Sequence, residues 1–213
     1  MQPRTAVSSI LLLLLINLVS ALSSCGGVDT SVTSVYPRVI IAYESAETEP
    51  DIFLSLYGEV HGNALRLESM TITHKDSGMF WSTDRLEVIS GSDGHTTYAG
   101  YPTFRPYEKT FPTGMYTVSW YEKNGRHFTI DFSLGSQTPE LPQEADTVRT
   151  VMVEDAERRV LYAGQSTRDF FSNRTIRSKY PTAALYRKYV LKSNTRVMYV
   201  YPPVYVRNDS DND

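Results

Sequence analysis

The chain has 213 residues with 21 basic and 24 acidic side chains, which give a formal net charge of −3 at pH 7. This slightly acidic balance argues against nucleic-acid binding, because proteins that neutralise phosphates carry clustered basic charge. The single cysteine excludes an intrachain disulfide, so a packed core must stabilise the fold.

The first 24 residues have the layout of an export signal. Arg4 gives a positive start, an apolar stretch covers residues 10–16, and small residues follow before Cys25. The apolar stretch is shorter than the roughly 20 residues that a membrane-spanning helix needs. Two cleavage sites fit this layout, one after Ala21, as in ordinary secretion, and one directly before Cys25.

The second site lies in the segment Leu22-Ser23-Ser24-Cys25, which resembles the lipobox of bacterial lipoproteins. In that family the cysteine receives a diacylglyceryl group and becomes the first residue of the mature chain. The resemblance implies a lipid-anchored protein of the bacterial cell envelope, held firmly because it carries more than one acyl chain. Gly26 in place of aspartate favours the outer membrane, by resemblance to enterobacterial sorting. Lipidation also removes an unpaired thiol from an oxidising compartment.

Small polar residues predict a flexible tether over residues 25–34. Eight short strand-like runs follow within residues 35–134, separated by turn signals such as the GSDG loop at 91–94. Short strands at this spacing, without a long helical pattern, predict an all-β sandwich or barrel. We therefore expect a mainly-β fold with a β-sandwich domain over residues 35–134.

The strongest local signal is Asn124-Gly125, which lies between two alternating runs and indicates a β-hairpin. A two-residue loop would place Trp120 opposite Thr129, whereas a three-residue loop places Trp120 opposite Phe128. The second register is predicted, because a slip of one residue moves every side chain to the other face. Gly125 should then adopt the left-handed conformation. The side chains predicted to face inward are those of Tyr116, Val118, Trp120, Phe128, Ile130 and Phe132.

The pattern Pro112-x-Gly114-x-Tyr116-x-Val118 resembles the penultimate strand of immunoglobulin-like and fibronectin-like sandwiches. Tyr116 occupies the position at which those folds have their corner tyrosine. The resemblance implies an immunoglobulin-like β-sandwich. The disulfide of antibody domains is absent, so an antibody-type domain is excluded.

Residues 135–147 contain two prolines and few large apolar groups, and they predict a linker. A smaller α+β segment is predicted over residues 148–207. It begins with a hairpin around Ala156-Glu157 and continues with a short helix capped by Ser166. Residues 183–191 fit either a helix or a strand, and the last strand is broken at Pro202-Pro203. An acidic disordered tail is predicted over residues 208–213.

Charge is uneven along the chain, since residues 44–93 are strongly acidic and residues 165–207, within the predicted α+β segment, are strongly basic. One interpretation is that its cations face an anionic partner, either lipid headgroups or a cell-wall polymer. The simpler interpretation, which the sequence favours, is that the segment packs against the acidic half of the chain or presents solvated charges. The candidate binding residues are Arg168, Arg174, Arg177, Lys179, Arg187, Lys188 and Lys192.

Fifteen tyrosines occur in the chain, and those exposed on strands are able to stack on sugars or anchor a protein partner. Four of the fifteen tyrosines precede a proline: Tyr36, Tyr101, Tyr180 and Tyr201. Alternation places most tyrosines in the core instead.

The chain contains none of the short motifs of zinc proteases, serine hydrolases or paired-cysteine metal sites. We therefore predict no catalytic residue, metal or cofactor, and expect a non-enzymatic binding or structural module with an envelope protein or polymer as partner. Two alternatives stay open. One is an envelope hydrolase with a histidine–aspartate site built from His61, His74, His95 or His127, and the other is a plain secreted protein cleaved after Ala21.

Overall fold

The computed structural model describes residues 29–142, 150–165, 172–192 and 194–206. Within these ranges the chain forms thirteen β-strands, a 3-10 helix and one short α-helix, so the prediction of a mainly-β fold is confirmed. The predicted signal peptide, Cys25, Arg168 and the predicted acidic tail lie outside the described residues. No helix within the described ranges is long and apolar enough to cross a membrane.

All eight strands predicted within residues 35–134 are present. The first begins at Ser31, so it overlaps the predicted tether by four residues. The bounds are β1 Ser31–Ala42, β2 Asp51–His61, β3 Leu67–His74, β4 Phe80–Thr83, β5 Glu87–Ser90, β6 Thr97–Phe104, β7 Gly114–Glu122 and β8 His127–Leu134. The 3-10 helix, Ala64–Arg66, connects β2 to β3.

The strands form two sheets. One is a nine-stranded sheet curled into a half-barrel, which includes the later strands β9 Thr150–Asp155, β10 Val160–Gln165, β11 Ala183–Lys192, β12 Val197–Val200 and β13 Val204–Tyr205. Its order is β10-β9-β11-β12-β1-β2-β6-β5, with β13 paired to β11. The other has four strands in the order β4-β3-β7-β8. One hydrophobic core lies between them, with contributions from both sheets.

Alternation along the strands decides which side chains enter this core. On β2, Ile52, Leu54 and Leu56 are buried, while Phe53, Ser55 and Tyr57 between them point to the opposite face. This is the period of two that a half-buried strand requires. The nine-stranded sheet therefore has an inner face toward the core and an outer face of more polar and aromatic side chains.

The β7–β8 hairpin has the predicted three-residue loop, and Trp120 pairs with Phe128. Gly125 has a φ of 85°, which an L residue with a bulky side chain resists. Phe132 is buried, whereas Phe128 and Ile130 are only half-buried. They point inward but remain partly accessible because β8 is the edge strand of the four-stranded sheet.

The predicted α+β segment extends the nine-stranded sheet. Its strands are β9 to β13. Strand β12 pairs in parallel with β1 and joins the segment to the first eight strands. Strands β12 and β13 both pair with β11, and Pro202-Pro203 separates them, as predicted.

Residues 135–142, the described part of the predicted linker, are held at several points. The Gln137 side chain is buried and bonds both the N–H and the carbonyl of Phe111 at 3.0 Å. From the other side, the hydroxyl of Tyr199 donates to the Thr138 carbonyl and that of Tyr201 to the Pro142 carbonyl. This stretch therefore contacts the β6–β7 loop on one side and the end of β12 on the other.

One α-helix, α1 (Asn173–Lys179), follows β10 in the described residues. Its N-cap is Ser172, whose hydroxyl accepts the N–H of Thr175 at 3.2 Å, whereas the predicted cap, Ser166, lies outside the described residues. Ile176 is fully buried in a second, smaller cluster with Val151 and Val153. The helix thus covers the end of the sheet that the main core does not reach.

Candidate functional site

A groove of about 450 Å³ lies on the outer face of the nine-stranded sheet. Its size falls within the range of small-ligand sites. We call it the tyrosine groove and define it by the side chains that matter most for its chemistry: Tyr36, Arg38, Ser55, Tyr57, Tyr98 and Arg196.

Strand register brings these side chains together. In the β1–β2 pair, Tyr36 lies opposite Tyr57 and Arg38 lies opposite Ser55. All four point away from the core, because the residues between them on each strand are buried. Tyr98 comes from β6, the next strand, so three neighbouring strands supply the three rings.

Two carboxylates fix the tyrosine rings of the groove. The Tyr36 hydroxyl donates to Glu59 at 3.0 Å, and the Tyr57 hydroxyl donates to Glu87 at 2.9 Å. The hydrogen bond to Glu59 raises the pKa of Tyr36, while burial and the bond to Glu87 raise that of Tyr57. Tyr36 also meets Tyr98 edge to face, with 5.5 Å between ring centroids. The rings are therefore positioned before any ligand arrives.

Gly100 makes the second of these bonds geometrically feasible. Tyr57 pairs with Gly100 on β6, and Gly100 pairs with Glu87 on β5. The Tyr57 side chain must cross β6 to reach Glu87, and a glycine leaves this crossing open. A Cβ at position 100 would lie 2.0 Å from the Leu56 carbonyl oxygen.

The two arginines of the groove have no ion pair with any residue that the structure describes. The Nη1 atom of Arg196 is buried and lacks a hydrogen-bond partner there. The Arg196 carbonyl accepts the N–H of Val39 at 2.9 Å, which holds the residue against β1. A buried donor without a partner costs about 1–3 kcal/mol. Arg196 as a whole is only half-buried and lines the groove, where its charge has no counter-ion among the described residues.

A second and larger depression, about 590 Å³, is lined by Glu49, Pro50, Arg105, Lys109 and Pro139 among others. Its cations already have partners, since Arg105 pairs with Asp51 at 3.1 Å and Lys109 with Glu49 at 3.8 Å. No aromatic ring lines it. This depression is larger than the tyrosine groove. The tyrosine groove is nevertheless the better candidate for a binding site, because it has aromatic rings and two arginines without ion pairs.

Arg187, one of the sequence-predicted candidates, belongs to an internal ion-pair network. It is 4% exposed, and its guanidinium bonds both oxygens of Glu44 at 3.0 and 3.1 Å and the Tyr43 carbonyl at 3.2 Å. Its Nε lies 3.6 Å from Glu154. For Arg187 the simpler of the two interpretations therefore holds: this cation packs against the acidic half of the chain.

The other candidates are dispersed. Arg177 donates to the Val206 carbonyl at 3.2 Å, and the Lys192 ammonium lies 5.2 Å from the centre of the Tyr199 ring. Arg174 and Lys179 are exposed on α1, and Lys188 is half-buried on β11. Neither Arg177 nor Lys192 is a free cation, and none of the described candidates lines the tyrosine groove.

The four histidines have separate surroundings. His74 is buried and bonds the Ser77 hydroxyl at 2.8 Å, His61 lies 3.6 Å from Glu59, and His127 stacks on Tyr121. The N–H of His95 donates to Asp93 in the GSDG loop. Across the described ranges, no three His, Cys, Asp or Glu side chains form a group able to hold a metal ion.

Sequence reasoning named Tyr36 only as one of four tyrosines that precede a proline, and it did not select Arg38, Tyr57 or Arg196. Alternation along β1 and β2 carried the signal for the first two, because it places them on the face opposite the buried leucines and valines. Arg196 gave no local signal, since it enters the groove through the parallel pairing of β12 with β1.

Comparisons with protein-family models, with curated proteins and with solved structures found no significant match to this chain.

Proposed function

We propose that this protein is a lipid-anchored lipoprotein of the bacterial cell envelope, and that it is a non-enzymatic module that binds an envelope polymer in the tyrosine groove. The observation that carries this proposal is the combination of fixed tyrosine rings with two arginines that lack ion-pair partners among the described residues. Rigid rings offer contact area at little entropic cost, and unpaired guanidinium groups supply binding energy for an anion.

The finer fold proposal is an immunoglobulin-like sandwich, and the strand order supports it. Strands β1-β2-β6-β5 face β4-β3-β7-β8, which corresponds to the ABED and CFG sheets of the immunoglobulin constant type with one added strand. The Tyr116 hydroxyl donates to the Pro112 carbonyl at 2.5 Å, which is the bond of a tyrosine corner. Strands β9–β13 are additions to the first of these sheets.

The anchor rests on the lipobox ending at Cys25. Asp29, which bonds Arg126 at 3.2 Å, follows Cys25 by four residues. Four residues of fully extended chain span at most about 14 Å. Thr30 is fully buried. A lipid on Cys25 would therefore hold the folded body close to the bilayer surface, so that it meets polymers lying near the membrane.

Co-sedimentation with the insoluble envelope fraction of the producing cell tests the binding proposal. Every chain in this comparison carries Cys25→Ala, so that no lipid attaches it to the membrane. We expect the chain with the wild-type groove to sediment with this fraction and Tyr36→Ala to lose most of the binding, because it removes an exposed ring of the groove. Tyr107→Ala is the matched control, since Tyr107 is also an exposed tyrosine but lies outside the groove. Equal binding by wild type and Tyr36→Ala would contradict the proposal.

Intact-mass analysis of the mature amino terminus tests the anchor. We expect a chain that starts at Cys25 and carries acyl groups, and we expect Cys25→Ala to release the protein from membranes or to stall its processing. A mature chain that starts at Leu22 with a free thiol would contradict the anchor and indicate a secreted protein. That result would leave the proposal that the tyrosine groove binds a ligand unaffected.

A further inference from the structure

We infer that the ligand of the tyrosine groove is an acidic glycan, meaning a saccharide chain whose units carry carboxylate groups beside free hydroxyl groups. The inference rests on the proposed function, because it names the chemistry of the ligand at the same site. Three features of the groove lead to it: its unpaired cations, its two tyrosine-bound carboxylates, and its position on the face of a sheet.

The unpaired arginines call for an anionic group. Arg38 and Arg196 line the same groove, and no residue in the described ranges neutralises either of them. A guanidinium group presents its donors in a planar fork that matches a carboxylate in two parallel hydrogen bonds. Two guanidinium groups without ion pairs therefore favour a ligand that carries carboxylate groups.

The carboxylates at the opposite side exclude a densely charged anion. Glu59 and Glu87 are bonded to the Tyr36 and Tyr57 hydroxyls, and each keeps lone pairs that accept further hydrogen bonds. A polyanion without hydroxyl groups would be repelled by these two carboxylates, because it has nothing to donate to them. A ligand that alternates carboxylates with hydroxyl groups fits both sides, because its hydroxyls donate to Glu59 and Glu87 while its carboxylates bind the arginines.

The position of the groove favours a saccharide over an acidic peptide. Extended peptides usually bind at a sheet edge, where unpaired backbone groups form main-chain hydrogen bonds. The groove instead lies on the face of the sheet, where rings from the three neighbouring strands β1, β2 and β6 stand side by side. Flat phenol rings such as that of Tyr36, which is 50% exposed, suit the apolar face of a sugar ring.

Equilibrium binding to two versions of one polymer tests the inference. The probes are polygalacturonate oligomers and the same oligomers after their carboxyl groups are reduced to alcohols, with poly-L-glutamate as an acidic peptide. For the full mature chain we expect at least tenfold tighter binding to polygalacturonate than to either of the others. Arg196→Gln should weaken polygalacturonate binding at least tenfold, whereas Arg66→Gln, an exposed arginine on the 3-10 helix, should leave it unchanged.

The wild-type comparison needs no variant, so it decides the question even if Arg196→Gln fails to fold. Equal affinity for the reduced oligomers would overturn the carboxylate requirement, and equal affinity for poly-L-glutamate would overturn the saccharide class. If no probe binds while Tyr36→Ala still abolishes envelope sedimentation, the acidic-glycan inference fails and the groove proposal stands. Loss of the Tyr36 effect would instead contradict the groove proposal itself.

Discussion

The Tyr57 hydroxyl lies 2.9 Å from the Glu87 carboxylate, although strand β6 separates the two residues. The strand between them contributes Gly100 at the crossing, and a Cβ there would approach the Leu56 carbonyl oxygen to 2.0 Å. Real structures do not tolerate such a contact, so strands β2 and β6 would have to separate. The groove and the pairing of these strands therefore depend on the same glycine.

Gly100→Ala should destabilise the fold by about 3 kcal/mol, the upper end of the range of substitutions that overpack a core, because the clash is with backbone. Gly94→Ala is the control, because a Cβ there meets nothing within 4 Å and only its positive φ of 69° disfavours alanine. We expect the control to cost about 1 kcal/mol. Urea unfolding of both variants gives the comparison, and equal midpoints would refute the close approach.

Trp120 connects the two sheets, and its loss should be severe. The side chain is fully buried, and its indole N–H donates to the Ala99 carbonyl on β6 at 3.3 Å. Trp120→Ala should cost about 3–5 kcal/mol, a large share of the roughly 5–15 kcal/mol that a domain has. Thr129→Ala, on the exposed face of β8, should change stability by less than about 0.5 kcal/mol. Thermal unfolding that ranks the two variants the other way would overturn the hairpin register.

Tyr116 should make stability depend on alkaline pH. Burial raises its pKa above the ordinary value of about 10. The unfolded chain therefore releases this proton first, so the stabilisation is complete below about pH 10 and is lost as the pH rises further. Tyr116→Phe also removes the hydrogen bond to Pro112, which is worth about 0.5–1.5 kcal/mol.

We thus expect Tyr116→Phe to be less stable than wild type at pH 8 and the difference to shrink as the pH rises above about 10. Chemical denaturation across this pH range measures it. A gap that stays constant or widens would show that the hydroxyl ionises as readily in the folded protein as in the unfolded chain.

We expect Arg187 to stabilise the fold rather than to bind a ligand. Glu154, at its guanidinium, is 5% exposed, and Arg187→Ala would leave this carboxylate with only the contact at 3.6 Å to Arg158, whose side chain is half exposed. Breaking a buried pair on one side costs about 3–5 kcal/mol. Arg174→Ala, which removes an exposed cation on α1, should cost less than about 0.5 kcal/mol. A stable Arg187→Ala variant that no longer binds the envelope fraction would assign Arg187 to ligand binding instead.

Local patterns were sufficient to predict strands β1–β8 and the β7–β8 register, because those strands alternate and their turns carry glycine or asparagine. Residues 183–191 remained ambiguous for a physical reason. Strand β11 pairs with neighbours on both sides, and Leu185, Tyr186 and Arg187 are buried in succession, so the period of two is lost.

The tyrosine groove could be predicted only in part. The alternation of Tyr36 with Val39, and of Tyr57 with Leu56, assigns two of its rings to the outer face from sequence alone. Arg196 reaches the groove through the parallel β1–β12 pair, whose partners are more than 150 residues apart, and nothing local to Arg196 encodes that pairing. The basic composition of residues 165–207 led to candidate cations that do not line the groove, such as Arg187, which belongs to an internal ion-pair network.

Chemical-shift mapping of backbone amides tests the groove most directly. The mature chain with Cys25→Ala, which should be soluble without its lipid, would be titrated with fragments solubilised from the envelope of the producing cell. We expect the perturbed amides to cluster on one face of β1, β2 and β6 and at the turn before β12, around Tyr36, Tyr57, Tyr98 and Arg196. Perturbations centred on Arg105 and Lys109 or on α1, with none in the groove, would contradict the account.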